Sequence, residues 1–290
     1  MRSRIARREY HDAETEIEDY LRNQPEDAEA WELLGSARYG RWDFGGAAAA
    51  YRKALDLGRE NAELLRGWVE TKGRSSGNVS LVFSAGNLRR DLERALELDP
   101  QHVETRAFLA AFYYMVPKLL GGDKRKSAQL VSELIELNPP DGYYLLGVRA
   151  KEENEPALVV LNHWEKAAEF DPMHTLTLVA MGRYWLDQEN FERALPLYKQ
   201  AVESAPGDPR VLTSYGRALR SGGMREESAA QYRRALEIDP FWAEARFGLA
   251  EYFERIDDRE AAKREYLRLS SNNPAYRSKE IRRRLQKFVP

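Results

Sequence analysis

The chain has 290 residues, of which 43% are hydrophobic, enough for a sizeable core, and 32% are charged, as suits long exposed helix faces. Its formal net charge is −2, so no overall field favours nucleic acid or an anionic membrane, and we expect neither as a partner. It has no cysteine, which excludes disulfides, zinc–thiolate sites and cysteine nucleophiles.

No apolar run approaches the roughly 20 residues that a helix needs to span a bilayer. The first ten residues are basic and lack the apolar stretch of a secretory signal. If Met1 is the native start, we expect a cytoplasmic protein; if a signal sequence has been removed, we expect a periplasmic one. The sequence favours no particular oligomeric state.

Residues 2–23 are predicted to form a single amphipathic helix. Ile5, Ile17 and Leu21 lie at helical spacing, and Pro25 follows the predicted end. This segment matches the second half of the pattern that repeats further along the chain. The chain therefore opens with a half repeat, or with a repeat that lacks its first helix.

The stretch from Thr175 to Pro240 contains two copies of one pattern. Pro206 and Pro240 occupy equivalent positions 34 residues apart, and Tyr198 and Tyr232 show the same offset. A fixed period of this size is typical of solenoids, in which each repeat buries its apolar face against its neighbours.

An earlier copy covers residues 28–58. Its predicted first helix carries Trp31 and Gly35, and its second helix carries Ala47 and Tyr51. The small residues allow the two helices to approach closely, while the aromatic rings fill the space beside them.

The pattern W-x2-L-G, then A-x3-Y-x2-A, then P resembles the tetratricopeptide repeat family. The resemblance implies an all-α fold, a right-handed superhelical solenoid of stacked antiparallel helix pairs. It would form one domain over 1–290, with about seven repeats, an N-terminal helix and a capping helix at 277–288. The predicted repeats are 28–61, 62–102, 103–140, 140–172, 175–208, 209–242 and 243–276.

The second and third repeats exceed the 34-residue period. The extra residues of the second fall in Arg74–Asn87, which is predicted to be a loop with an apolar centre. Those of the third fall in Met115–Lys124. There Pro117 should end or kink the first helix, Gly121 and its neighbouring glycine should turn, and Asp123 should cap the next helix.

The resemblance further implies that first-helix positions 2, 5, 9 and 12 line a concave groove that binds peptides or protein segments. Transferred to this chain, the rule gives a groove with an aromatic middle and a basic section. Its predicted peptide-binding residues are Arg183, Arg210, Arg217, Arg220, Tyr114, Tyr144 and Phe247. Guanidinium groups bind carboxylates in two-pronged fashion, so such a groove would take an acidic or C-terminal peptide. Alternatively, the arginines pair with neighbouring glutamates and bind no ligand.

No catalytic constellation stands out. His102 and His174 each lie two residues after a repeat proline, which makes them equivalent turn residues and not a metal site. We expect no cofactor, no metal and no enzymatic activity. The predicted function is that of a protein-interaction scaffold or adaptor. The alternative is a binding protein for a small apolar or amphipathic ligand, enclosed by the insertions at 74–87 and 115–124.

Overall fold

A computed structural model describes residues 1–7, 9–41, 43–75, 78–273 and 276–288, with the backbone alone for 78–84. Within these residues all regular secondary structure is helical, and no strand occurs. The all-α class is therefore confirmed. The chain forms two compact units, the N-terminal unit (Met1–Pro172) and the C-terminal unit (Met173–Pro290).

The N-terminal unit is built from consecutive helices that pack in antiparallel pairs. The first helices of successive pairs also touch: α3 contacts α5, α5 contacts α7, and α7 contacts α9. A short 3-10 helix, Lys118–Leu120, lies between α7 and α8. The helices are α1 (Arg2–Ala6), α2 (Tyr10–Asn23), α3 (Ala28–Gly40), α4 (Phe44–Asp56), α5 (Ala62–Ser75), α6 (Asn78–Leu98), α7 (Val103–Met115), α8 (Lys124–Leu137), α9 (Pro139–Glu152) and α10 (Ala157–Phe170).

The C-terminal unit repeats this plan. Its first helices, α11, α13 and α15, contact one another in that order, and each pairs with the helix that follows it. The helices are α11 (Thr175–Asp187), α12 (Phe191–Ser204), α13 (Pro209–Ser221), α14 (Arg225–Ile238), α15 (Ala243–Arg255), α16 (Arg259–Asn272) and α17 (Ser278–Gln286).

Side-chain caps fix where many of these helices begin. The Asp27 carboxylate accepts a hydrogen bond from the Ala30 N–H at 3.0 Å, and Asp258 accepts from the Ala261 N–H at 2.9 Å. His102 caps α7 in the same way, since its Nδ1 accepts from the Thr105 N–H at 3.1 Å. Each cap satisfies a backbone donor that has no partner within the helix.

The close approach predicted for Gly35 is confirmed. A Cβ atom added to Gly35 would lie 2.5 Å from the ring of Tyr51, so only glycine lets the ring pack against α3 at this point. Ala47 is fully buried in the same cluster, together with Ala54 and Leu64. The repeated glycine–aromatic contact therefore sets the distance between the paired helices.

The prediction of one helix over 2–23 is wrong. The structure has α1 and α2 in its place, and α1 folds against α2 and α3. Arg4 donates to Glu9 and Glu16, both at 2.9 Å, which holds the two helices together. The positions three and four residues after Ile5 are Arg8 and Glu9, so the apolar stripe that would continue a helix from Ile5 is interrupted there.

The prediction of a loop over Arg74–Asn87 is also wrong, except for residues 76 and 77, which lie outside the described residues. Arg74 lies in the last turn of α5, which ends at Ser75, and the residues from Asn78 onward belong to the 21-residue helix α6. Ala85, Leu88 and Leu92 are buried at helical spacing. This burial outweighs the low helix propensity of the serines and glycines nearby.

The predictions for Met115–Lys124 are confirmed. Helix α7 ends at Met115, just before Pro117, and Gly121 adopts φ 102°, which only glycine adopts without strain. Asp123 then caps α8, accepting from the backbone N–H of Arg125 at 2.9 Å. Pro117 therefore stops one helix and Asp123 starts the next.

Helix α17 covers the last repeat of the C-terminal unit. Ile281 is buried, and Leu285 and Phe288 pack on the same cluster as Phe247 and Tyr266. In the part of the chain that the structure describes, no helix has the length and apolar character needed to cross a bilayer.

Candidate functional site

The C-terminal unit contains a pocket between α13, α15 and the residues before α17. Its cavity volume is about 90 Å³. We call it the arginine pocket, after the cations that surround it. It is lined by Thr213, Arg217, Arg220, Tyr232, Glu244, Phe247, Gly248, Glu251, Tyr276 and Arg277.

Helical spacing brings the lining residues to one face. Arg217 and Arg220 lie three residues apart on α13, while Phe247 and Glu251 lie four residues apart on α15. The structure thus brings together three of the residues predicted for the groove, Arg217, Arg220 and Phe247. Two neighbouring first helices, α13 and α15, therefore form opposite walls of the arginine pocket.

The floor of the pocket is the ring of Tyr232, on α14. Gly216 of α13 and Gly248 of α15 lie against this ring, and a Cβ at either would come within 2.7 Å or 2.5 Å of it. The residue is 1% exposed, and its hydroxyl makes no hydrogen bond of ordinary geometry with a described residue, although the Ser228 side chain lies close to it. Burial also raises the pKa of this phenol. The floor of the pocket therefore contains a buried hydroxyl without a well-formed hydrogen bond.

An aromatic wall stands beside this floor. The rings of Phe247 and Tyr276 have centroids 6.3 Å apart in an edge-to-face arrangement, and the Arg277 guanidinium lies 4.7 Å from the Phe247 ring. Burial raises the pKa of Tyr276 to about 12, so its hydroxyl is neutral at physiological pH. The wall can contact apolar groups of a ligand, and Arg277 covers it from outside.

Arg220 is engaged within the protein. It forms an ion pair with Glu251, and Glu251 also accepts from Arg284 at 3.1 Å. Arg284 pairs in turn with Glu254. Arg220 therefore pairs with a glutamate of the neighbouring helix, as the alternative interpretation of the groove arginines expects.

Arg217 differs from Arg220 although it lies one turn away. Its Nη2 donates to the Ser214 hydroxyl at 3.3 Å, and it forms no ion pair with any residue that the structure describes. Arg183, the equivalent residue of the preceding repeat, is exposed and likewise forms no ion pair within the described ranges. Glu244 lines the arginine pocket without an ion pair among those same residues. The face thus offers both an available cation and an available anion.

Tyr198 connects the two unpaired arginines. It lies on α12, and burial raises its pKa to about 12, while the positive charges of Arg217 and Arg183 act in the opposite direction. Both guanidinium groups are therefore close enough to influence one phenol. We call Arg183 on α11 and Arg217 on α13 the basic surface; the Asp187 carboxylate also lies near this phenol.

The remaining predicted groove residues lie elsewhere. Arg210 binds Asp208, at 2.6 Å and 3.0 Å, beside the N-terminus of its own helix. Tyr114 and Tyr144 belong to the N-terminal unit. Tyr114 lines a pocket of about 170 Å³ and lies 4.7 Å from the Arg149 guanidinium. The Tyr144 carbonyl accepts from the indole N–H of Trp164 at 3.2 Å.

Sequence reasoning missed Tyr232, Tyr276 and Arg277. Tyr232 resembled a packing residue of the second helix, Tyr276 was placed at the end of the seventh repeat, and Arg277 was placed at the start of the capping helix. The repeat period could have indicated the position of Tyr276. The Trp242 indole donates to Thr213, 29 residues earlier, at 3.0 Å, and Tyr276 contacts Phe247 at the same sequence offset. Each repeat thus begins against the first helix of the repeat before it.

Among the residues that the structure describes, no group of three or more His, Cys, Asp or Glu side chains is arranged so that it could hold a metal ion. His102 and His174 both act at helix starts. The His174 Nδ1 lies 2.7 Å from the Thr177 hydroxyl, as His102 contacts Thr105. The two are equivalent turn residues, in agreement with the sequence.

Comparison with known proteins gives one family and several relatives. The family model described as "Tetratricopeptide repeat" matches residues 2–62 and 179–243. The chain is 26% identical over 124 residues to the formate-dependent nitrite reductase complex subunit NrfG of Escherichia coli O157:H7. This match covers 43% of the chain and 58% of that protein.

A second relative is the TPR repeat-containing thioredoxin TTL4 of Arabidopsis thaliana, 30% identical over 83 residues, which cover 29% of the chain and 12% of that protein. Among solved structures, yeast Tom70 matches with a TM-score of 0.64 at 17% identity, covering 97% of the chain and 58% of Tom70. The chain therefore spans only part of each of these proteins, and the structural likeness concerns the fold.

Proposed function

We propose that this chain, which belongs to the tetratricopeptide repeat family, is a non-catalytic protein-interaction scaffold that binds an extended acidic peptide segment. The segment would lie along the first helices of the C-terminal unit, α11, α13 and α15. Its carboxylate would bind Arg217 in the arginine pocket, and Arg183 would contact the next acidic group.

The observation that carries the proposal is the unpaired state of Arg217 beside a buried, unpartnered hydroxyl. Among the described residues, Arg217 lacks a carboxylate and Tyr232 lacks an acceptor. One carboxylate of a ligand could accept from both groups. Charge-assisted hydrogen bonds of this kind contribute about 1.5–3 kcal/mol each.

The unpaired Glu244 favours a peptide over a simple anion. A carboxylate at the pocket wall would repel a free anion, but it can accept from backbone N–H groups of a peptide. The aromatic wall of Phe247 and Tyr276 adds a surface for an apolar side chain next to the acidic one. The glycines against the Tyr232 ring hold these walls in place, so little order is lost on binding.

The experiment is selection from a display library of random 12-residue peptides on the full chain, followed by affinity measurement of an enriched peptide. We expect peptides that carry an acidic residue next to an apolar one. The double variant Arg183→Glu/Arg217→Glu should lose these peptides and reverse the charge preference of the selection.

The matched control is Arg234→Glu. Arg234 is an exposed arginine on α14 that hydrogen-bonds to Gln231 at 3.1 Å and does not line the arginine pocket. This variant should select the same peptides as the parent. If the double variant also selects them with unchanged affinity, the basic surface does not bind the peptide and the proposal is wrong.

A further inference from the structure

The N-terminal unit contains an apolar cavity that the proposed peptide site does not use. Its volume is about 420 Å³, within the range of small-molecule sites. It lies between α5, α6, α7 and the segment that follows α7. None of the described residues that line it is charged: they are Val69, Gly73, Ala85, Leu88, Phe108, Phe112, Met115, Val116, Pro117 and Leu120.

Both insertions contribute to this cavity. Ala85 comes from the part of α6 that replaces the loop expected over Arg74–Asn87. Met115, Pro117 and Leu120 come from the other insertion, where the chain leaves α7 and forms the 3-10 helix. The departures from the 34-residue period therefore build one feature together. Tyr114, the predicted groove residue of α7, does not line this cavity but the neighbouring pocket of about 170 Å³, which shares Met115 with it.

The apolar surface continues outward from the cavity. Met115 is 78% exposed and Leu119 is 96% exposed. An apolar cavity with apolar residues at its entrance is unfavourable in water and gains free energy when a hydrocarbon fills it. Among the side chains that the structure describes, none in the lining is polar and could orient a polar ligand inside.

Positive charge lies at one end of the cavity wall. Arg89 follows the lining residue Leu88 on α6, and its side chain packs within 3.6 Å of the Cβ position of Gly121, next to the lining residue Leu120. Its Nη1 forms a long ion pair with Glu93, at 3.9 Å, and its side chain lies close to the Tyr113 hydroxyl, whereas its Nε is buried and has no hydrogen-bond partner among the described residues. Lys118 is exposed on the 3-10 helix.

We propose that this cavity binds a free fatty acid, with the hydrocarbon chain between Phe108, Phe112 and Leu88 and the carboxylate at Arg89. The Arg89 guanidinium has a buried N–H to donate, and a carboxylate is its natural acceptor. The two cations next to the cavity suit one anionic head group, whereas a membrane surface would call for a larger basic cluster.

The test is a series of saturated carboxylic acids of increasing chain length, titrated into the full chain by calorimetry. Each added methylene should tighten binding about fourfold, because burying one CH₂ contributes about 0.8 kcal/mol, until the cavity is full and the affinity levels off. An affinity that does not depend on chain length overturns the proposal.

Variants locate the site. Ala85→Phe places a ring in the cavity and should weaken binding of the longer acids at least tenfold. Arg89→Gln should retain the chain-length dependence but lose the preference for a carboxylic acid over the primary alcohol of equal length. Arg90→Gln, an exposed neighbour on α6, should behave as the parent. If Ala85→Phe fails to fold by circular dichroism, the Arg89→Gln result decides: an unchanged preference for the acid overturns the proposal.

Two further arms separate other occupants. Phosphatidylcholine vesicles without fatty acid should not bind the chain, and vesicle binding with no binding of free acids would mean that the cavity contacts membrane instead. Arg217→Gln should leave fatty-acid binding unchanged, because Arg217 does not line this cavity. The peptide proposal and the fatty-acid proposal can therefore fail independently, and the experiments tell the two failures apart. Loss of fatty-acid binding in Arg217→Gln would place the ligand outside this cavity.

Discussion

Replacing Tyr232 by phenylalanine should stabilise the protein, which is unusual for a change at a fully buried residue. The Tyr232 hydroxyl is buried and has no hydrogen-bond partner among the described residues. An unsatisfied buried hydroxyl costs about 1–3 kcal/mol, and Tyr232→Phe removes it while it keeps the ring that packs against Gly216 and Gly248. We expect the free energy of unfolding to rise by about 1 kcal/mol or more.

Tyr266 is the matched control, because it occupies the equivalent position one repeat later. Its hydroxyl donates to the Glu254 carboxylate at 3.1 Å. Tyr266→Phe therefore loses a hydrogen bond and leaves the carboxylate with one fewer donor, so the free energy of unfolding should fall by about 1–2 kcal/mol. The two identical substitutions should change stability in opposite directions.

The assay is urea denaturation of the full chain followed by circular dichroism, with unchanged steepness of the transition as the check that both variants unfold alike. The same Tyr232→Phe variant should bind the selected acidic peptide more weakly than the parent. If Tyr232→Phe destabilises the protein as much as Tyr266→Phe, the hydroxyl has a partner in solution and the reasoning about the pocket floor fails.

Three further predictions concern packing, pH and a buried ion pair. Gly248→Ala should lower the free energy of unfolding by about 1–3 kcal/mol, since its Cβ would lie 2.5 Å from the Tyr232 ring. Gly86→Ala, with no described atom within 4 Å of the added Cβ, should raise it by about 0.5–1 kcal/mol. Equal effects of the two substitutions in urea titrations would contradict this. Burial raises the pKa of Tyr198 to about 12, above its ordinary value near 10, so the unfolded chain loses this proton first. Stability should fall by up to about 3 kcal/mol between pH 10 and 12, less steeply in Tyr198→Phe; equal slopes would refute it. Arg246 and Glu265 form a buried pair at 2.6 Å, and the more exposed Arg268 also contacts Glu265 at 3.1 Å. Because Arg268 compensates part of the remaining charge, Arg246→Leu alone should cost about 3 kcal/mol, the lower end for a broken buried pair, and the double replacement by leucine clearly less. Thermal unfolding measures both losses, and equal losses would count against a buried-charge penalty.

The sequence predicted the regular part of the fold because its signals are local. Asp27 and Asp258 cap helices through contacts three residues away, and the contact of Gly35 with Tyr51 spans only one helix pair. Such signals recur in each repeat, so several weak matches in phase become decisive. The same reasoning failed for Arg74–Asn87, where burial of Ala85 and Leu88 by a neighbouring helix outweighs local propensity.

The sequence predicted which helix face lines the site, but not which of its arginines pair with a carboxylate. The spacing rule of the family selected Arg217 and Arg220 together, one turn apart on α13. Only the structure shows that Arg220 pairs with Glu251 while Arg217 contacts Ser214. Pairing depends on differences of a few ångströms between helices 30 residues apart in sequence, and a residue pattern carries no such distances. The unpartnered hydroxyl of Tyr232 was hidden for the same reason.

The most direct test of the proposed peptide site compares two single substitutions, Arg217→Gln and Arg234→Gln, in calorimetric titrations with one selected acidic peptide. Each substitution removes one exposed arginine from a helix, but only Arg217 lines the arginine pocket. We predict that Arg217→Gln weakens binding about 10- to 100-fold, the range expected for a charge-assisted contact, and that Arg234→Gln leaves it unchanged. Equal affinities for the two variants would contradict the assignment of the arginine pocket as the peptide site.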